Sequence, residues 1–298
     1  MAVTENTDPA ALSADARLSE RKNVSVLSLL LGNRGVFWGS ALLGMMVLIA
    51  IIGPNFTLDP TALSPMTRLK PPSAEVFFGS DFLGRDVFAR VISGARISLV
   101  VGIAVALVAV SIGLVLGMVA GYIRTLDAVI MRVMDGLMAI PGILLAIALI
   151  SLSGATLGTV IIAIVIPEIP RVVRLVRAVV LTVREEPYVE AAIAAGTRLP
   201  WILSRHILPN TIAPLIVQAT YICGSAMLTE SILGFLGAGI PPEIPSWGNI
   251  MSEGRTYFQI SPWIIFYPGV ALAITVLAVN VVGDGLRDTL DPRIARKM

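Results

Sequence analysis

Few residues in this 298-residue chain could do chemistry, and the shortage is informative. There is one histidine, His206, and one cysteine, Cys223. That excludes zinc sites built from Cys and His, paired haem ligands, iron–sulfur clusters and a disulfide framework. None of the three lysines (Lys22, Lys70 and Lys297) follows a glycine. A Walker loop holds phosphates with Gly-Lys-Ser/Thr, so the chain does not bind ATP by that route. Two acids, Glu168 and Glu230, fall inside long apolar runs. A carboxylate at the bilayer centre costs about 2.5–3.5 kcal/mol on insertion scales, so each must face protein or water. Glu168, between Pro167 and Pro170, either pairs with Arg171 one turn on or lines a solute route. Glu230 reads as structural. Arg171, Arg174 and Arg177 read as anchors at the cytoplasmic interface, and Cys223 as a packing residue. No basic cluster suggests nucleic acid, and the net charge is only +2.

The elements that carry these residues follow from composition. Hydrophobic residues make up 56% of the chain, mean hydropathy is +0.85 and only 14% of residues are charged. A soluble protein carries about 25% charged residues, so this is an all-α, polytopic membrane protein. A span needs about 20 apolar residues. The sequence predicts six: Val36–Ile52, Ile97–Tyr122, near Val129–Leu152, near Thr159–Val179, near Ile212–Phe235 and near Pro262–Val282. Of 22 Lys and Arg, 16 then fall on the side of both termini, which makes that side cytoplasmic. The one conflict is the segment before the second span, with Arg68, Lys70, Arg85, Arg90 and Arg96. Arg132 and Asp135, three apart, can pair on one helix face. Gly113, Gly117 and Gly121, every four residues, read as a close-packing stripe.

The cytoplasmic segment REEPYVEAAIAAGTRLPWILSRHILPN, Arg184 to Asn210, is the most specific. Pro187 suits a first helical turn and Gly196 a C-terminal stop. Pro200 can start a second short helix that Pro209 stops. Glu190 sits early in the first helix, where the dipole favours an acid. Glu190-Ala191-Ala192, Gly196, Leu199 and Ile207-Leu208-Pro209 resemble the EAA motif of ABC-importer permeases. In that family the loop forms a coupling helix that docks in a cleft of the ATPase subunit. The bland alternative is a solvated helical loop.

A second match stands before the second span. Gly79, Asp81, Gly84, Arg85, Asp86 and Gly94-Ala95-Arg96 are similar to the Gly-Thr-Asp-x-x-Gly-Arg-Asp signature of the dipeptide/oligopeptide/nickel permeases, C-type subunit, with Ser80 for Thr. Its plain reading is a capped amphipathic helix at the outer surface, with Arg90 and Arg96 flanking the interface. A third match is Asp127, Arg132 and Asp135 followed by Pro141. The resemblance covers about residues 25–290. It implies a type I ABC importer fold in a bacterial cytoplasmic (inner) membrane. Residues 1–35 would be a cytoplasmic leader, 36–95 a first helix with an external segment, 96–287 the transport core with its coupling loop at 181–211, and 288–298 a cytoplasmic tail. It further implies no cofactor on this chain, with ATP bound by partners. Those partners are a second homologous permease, two ATPase subunits and an extracytoplasmic solute-binding protein. An ion-gradient-driven secondary transporter is the alternative.

Overall fold

The computed structural model describes residues 34–290, so the expected leader and tail lie largely outside the described residues. Every regular element among these residues is helical. The nearest thing to a strand is an isolated antiparallel bridge between Ser80 and Asp86. The helices are α1 Arg34–Ile52, α2 Val87–Tyr122, α3 Arg124–Met138, α4 Gly142–Ser153, α5 Leu157–Val183, α6 Pro187–Ala194, α7 Leu199–Ile202, α8 Leu208–Phe235, α9 Trp247–Gly254 and α10 Trp263–Leu290. A membrane leaves no water to satisfy backbone groups, so helices are the expected answer for a chain this apolar.

Among the described residues, four segments are long and apolar enough to cross a bilayer, and a bent pair makes up to five. These segments contain α1, α2, α8 and α10. The bent pair is α3 and α4, which meet at 88° around Pro141. This corrects the single straight span expected near Val129–Leu152. Proline lacks an N–H and disfavours helix in the residue before it, so the chain turns at Ile140-Pro141 and starts again. The expected fourth span lies within α5, whose 27 residues run unbroken through Pro167 and Pro170. Glu168, Arg171, Arg174 and Arg177 keep α5 from qualifying on composition.

Helix α2 is longer than predicted. Its 36 residues begin at Val87, so the last ten residues of the expected external segment are helical. Asp86 caps it, its side chain accepting the Phe88 N–H at 2.9 Å. Pro209 also departs from expectation. It does not stop a helix but stands in the first turn of α8, where a missing N–H costs nothing. A five-residue π turn, Leu203–Ile207, joins α7 to α8.

The core forms between α2 and α5. An added Cβ at Gly113, Gly117 or Gly121 would lie 2.4, 2.6 and 2.6 Å from the Cβ of Val172, Val176 and Val180 respectively. The glycine stripe is therefore a row of notches for a row of valines, and Val172, Val176 and Val180 are completely buried. A second cluster gathers α1, the start of α2, α9 and α10 around the buried Trp247, whose Nε1 donates to the Val91 carbonyl at 3.0 Å. Trp38, Leu48 and Ile51 on α1 remain exposed, as a lipid-facing helix requires.

Candidate functional site

Three places carry polar chemistry. The first is cytoplasmic. Pro187 opens α6, Glu190 lies in its first turn, and Gly196 follows its end at φ +78°. The Gly196 N–H donates to Ile193 O at 2.9 Å and the Thr197 N–H to Ala192 O at 3.1 Å. That pairing closes the helix only if the residue after it is left-handed, which glycine does without strain. No atom lies within 4 Å of where a Gly196 Cβ would be, so backbone conformation alone sets the requirement. Of this segment only Val189, Ile202 and Ile207 are buried, and they pin it to the base of α5 and α8. Tyr188, Ile193, Leu199 and Trp201 stay exposed beside Ala191, Ala194 and Ala195. Arg184, at the entry, donates to Gly121 O at 3.2 Å and so caps the last turn of α2. His206 is half-buried, its ring 6.0 Å from Tyr188.

The second place is external. Asp81 is completely buried. Its Oδ1 accepts from the Leu83 and Arg85 N–H groups at 2.8 and 2.9 Å, and its Oδ2 from Arg85 Nε at 2.6 Å and Arg90 Nη1 at 2.7 Å. Glu253, on α9, accepts from Arg85 Nη2 at 2.5 Å and from Arg90. Two cations and two acids thus neutralise one another away from water, the condition for burying charge. Arg90, 1% exposed, is no interface flank as expected but the centre of this cluster. Arg96 is exposed and stays outside it. The glycines of the signature serve the same loop. Gly79 and Gly84 have φ of +73° and +79°, and a Cβ on Gly84 would sit 1.8 Å from Ser64 O. Burial raises the Asp86 carboxyl above its ordinary value, against the lowering effect of the Phe88 and Ala89 N–H groups.

The third place is a cavity of about 340 Å³ between α3, α4, α5 and α8. Leu137, Ile140, Ile143 and Ile164 give it apolar walls, while Glu168, Arg171, Ser225 and Thr229 give it a polar one. Glu168 pairs with Arg171 at 3.2 Å, and the same side chain lines this cavity. The neighbouring arginines are not free anchors. Arg174 donates to Asp135 at 2.6 Å, and Arg177 grips Asp127 through two bonds of 2.5 and 2.7 Å. Asp135 therefore serves α5 and not Arg132. Glu230 is buried beside Ser98, whose hydroxyl lies 3.3 Å from it.

Sequence reasoning missed Glu253, which stands more than 160 positions from the arginines it neutralises. No local pattern links them. The Asp127–Arg177 pair was equally hidden, although both halves had been singled out separately.

The described residues form an all-helical membrane bundle with a bent pair and an exposed two-helix loop. Its fold is similar to that of a solved chain titled as inward-facing conformations of the MetNI methionine ABC transporter, with a TM-score of 0.50 at 21% identity, over 65% of this chain and 94% of that one. The chain belongs to the family described as binding-protein-dependent transport system inner membrane components, whose model matches residues 109–296. It is 56% identical over 88% of its length, and 90% of the other's, to a probable peptide ABC transporter permease protein y4tQ of Sinorhizobium fredii. It is 43% identical to the dipeptide transport system permease protein DppC of Alkalihalophilus pseudofirmus, over 88% of this chain and 87% of that one. The oligopeptide transport system permease protein OppC of Bacillus subtilis is 36% identical over 97% of both. It is thus a permease subunit of an ABC importer, resident in the inner membrane.

Proposed function

We propose that this chain moves short peptides across the inner membrane. It does so as one half of a permease pair completed by a second, homologous subunit, with six spans and both termini cytoplasmic. In this arrangement α5 is a span despite its charges, because each of its arginines has an acid partner. Residues 96–287 make the transport core. Two ATPase subunits bind and hydrolyse ATP, this chain holds no cofactor, and an external binding protein delivers the solute. The peptide, dipeptide and oligopeptide permeases that this chain resembles support the substrate class.

One observation carries the coupling role: Tyr188, Ile193, Leu199 and Trp201 stay exposed on two short helices that are anchored by the buried Val189 and Ile202 and by Ile207 in the π turn that follows. Apolar side chains on a rigid, anchored element suit a protein partner. Glu190, Ala191, Ala192, Gly196, Leu199 and Pro209 belong to this element. The Asp81–Arg85–Arg90–Glu253 cluster, with Gly79 and Gly84, braces the external loop, and Glu168 lines the solute route. Replacing Gly196 by valine puts a branched side chain at φ +78°, and Glu190→Lys reverses a helix-start charge. Both should uncouple ATP hydrolysis from uptake or weaken ATPase assembly. Unchanged assembly and uptake in both variants would refute the coupling role. A chain that purifies without a Walker-type ATPase and transports on a proton or sodium gradient would establish the secondary-transporter alternative.

A further inference from the structure

The polar wall of the cavity is unevenly satisfied. Arg171 uses only Nη1 toward Glu168, at 3.2 Å from each carboxylate oxygen. Its Nε and Nη2 donate to no protein group among the described residues, and its side chain is 47% exposed against 9% for Glu168. The next two arginines on α5 turn to acids of α3 instead, Arg174 through Nη2 to Asp135 and Arg177 through two bonds to Asp127, and neither lines the cavity. Arg171 alone of the three takes its acid from its own helix and keeps an open edge toward the cavity. The resting pair is neutral overall, which lets it exist among Leu137, Ile140, Ile143 and Ile164 without an uncompensated charge.

A guanidinium edge with adjacent N–H groups matches a carboxylate in two parallel bonds, and does so most strongly where apolar walls keep the local dielectric low. The cavity volume lies near the lower end of the roughly 300–1,000 Å³ typical of small-ligand sites. Ser225 and Thr229, one turn apart on α8, also line it, but the Ser225 hydroxyl donates to Glu168 Oε1 at 3.4 Å and the Thr229 hydroxyl to Ser225 O at 2.9 Å, which leaves Arg171 as the side chain with spare donors on this wall. We propose that Arg171 contacts the terminal carboxylate of a short peptide passing through this subunit, with Glu168 acting as a positioning residue that orients the guanidinium. This deepens the peptide-importer reading above and rests on it. The station selects for a free carboxylate after the binding protein has released its cargo.

The test measures binding of labelled alanyl-alanine to the purified complex of both permeases and the ATPases, with the binding protein left out. The expected result is weak but saturable binding. Unlabelled alanyl-alanine and its N-acetyl form should displace the label, and alanyl-alanine amide should compete at least about tenfold less well. That comparison needs no substitution, so it does not depend on a variant folding. Arg171→Gln should weaken binding at least about tenfold, and Arg171→Lys should restore part of it. Arg171→Gln should also remove the preference for acid over amide, which a merely structural defect would not. Equal competition by the amide, unaltered binding by Arg171→Gln, or no saturable binding at millimolar peptide would each overturn the proposal. Failure of the importer reading is read separately, as absence of the ATPase subunits from the purified complex.

Discussion

Asp81→Asn is the sharpest probe of the external cluster because it changes charge and donor pattern while keeping shape. Each oxygen of Asp81 accepts two donors: backbone N–H groups at Oδ1 and guanidinium groups at Oδ2. An asparagine has one acceptor and one donor end. Whichever way the amide turns, its NH2 faces two other donors. The change also leaves Arg85 and Arg90 with Glu253 as their only acid. Losing one partner of a buried ion pair costs about 3–5 kcal/mol. Arg85 and Glu253 retain slight exposure, so water relieves part of this and about 3 kcal/mol is the reasonable figure here. The damage should be local, since the bridge between Ser80 and Asp86 can open without unfolding the bundle. Hydrogen exchange over residues 64–86 should then speed up by roughly a hundredfold, at tenfold per 1.4 kcal/mol. Trypsin should cut after Arg68 at lower dose, while Lys70 is shielded by the proline that follows it. Asp59→Asn, on an exposed acid bonded only within its own turn to Thr61, is the control and should change neither. Native exchange rates in Asp81→Asn would mean that the cluster does not brace the loop.

Other substitutions test the packing of α5. Gly117→Ala places a methyl 2.6 Å from the Val176 Cβ and should cost about 1–3 kcal/mol by overpacking, read as lower thermal stability in detergent. Val176→Gly costs stability on its own account, but the two changes together should cost less than their sum, and strict additivity would move the defect away from the α2–α5 seam. Asp127→Asn should cost no more than about 1 kcal/mol, because the pair with Arg177 is partly exposed. The exchanged pair Asp127→Arg with Arg177→Asp should be more stable than either single reversal, and a double-mutant cycle with no coupling would remove the pair from the account.

The sequence revealed what depends on local chemistry. Gly196 was legible as a helix stop because the left-handed residue after a helix is nearly a glycine specialty. The glycine stripe was legible as packing because its period matches a helix face. The bend between α3 and α4 was harder. The apolar run through Ile140-Pro141 satisfied the length of a span, and length alone cannot see an 88° turn. The charge cluster was out of reach for another reason. Asp81, Arg85 and Arg90 are spaced by four and five residues and suggested a surface helix. Their burial is decided by α9 folding back over them, a tertiary event carrying no mark near position 81. Pro209 failed as a stop signal because a proline that ends one helix and a proline that begins the next look alike in one dimension.

Helix α5 ties two of the three places together, the cytoplasmic loop and the cavity. Its C-terminal end runs into the coupling segment after Val183, and the cavity residues Glu168 and Arg171 lie four turns back. At 1.5 Å per residue, Val183 and Glu168 are about 22 Å apart along the axis. Between them α5 is held on one side by Val172, Val176 and Val180 seated in glycine notches, and on another by two ion pairs to α3. A helix gripped along that length is displaced as a unit, because bending it would unseat valines that have no room to move. The notches span the same residues that separate the cavity from the loop, from Val172 to Val180. Pro167 and Pro170 lie just beyond them, at the cavity end. On the coupling role proposed above, a displacement of α6 would reach α5 at its gripped section, and the cavity end beyond it is where Pro167 and Pro170 each leave a helix hydrogen bond unmade.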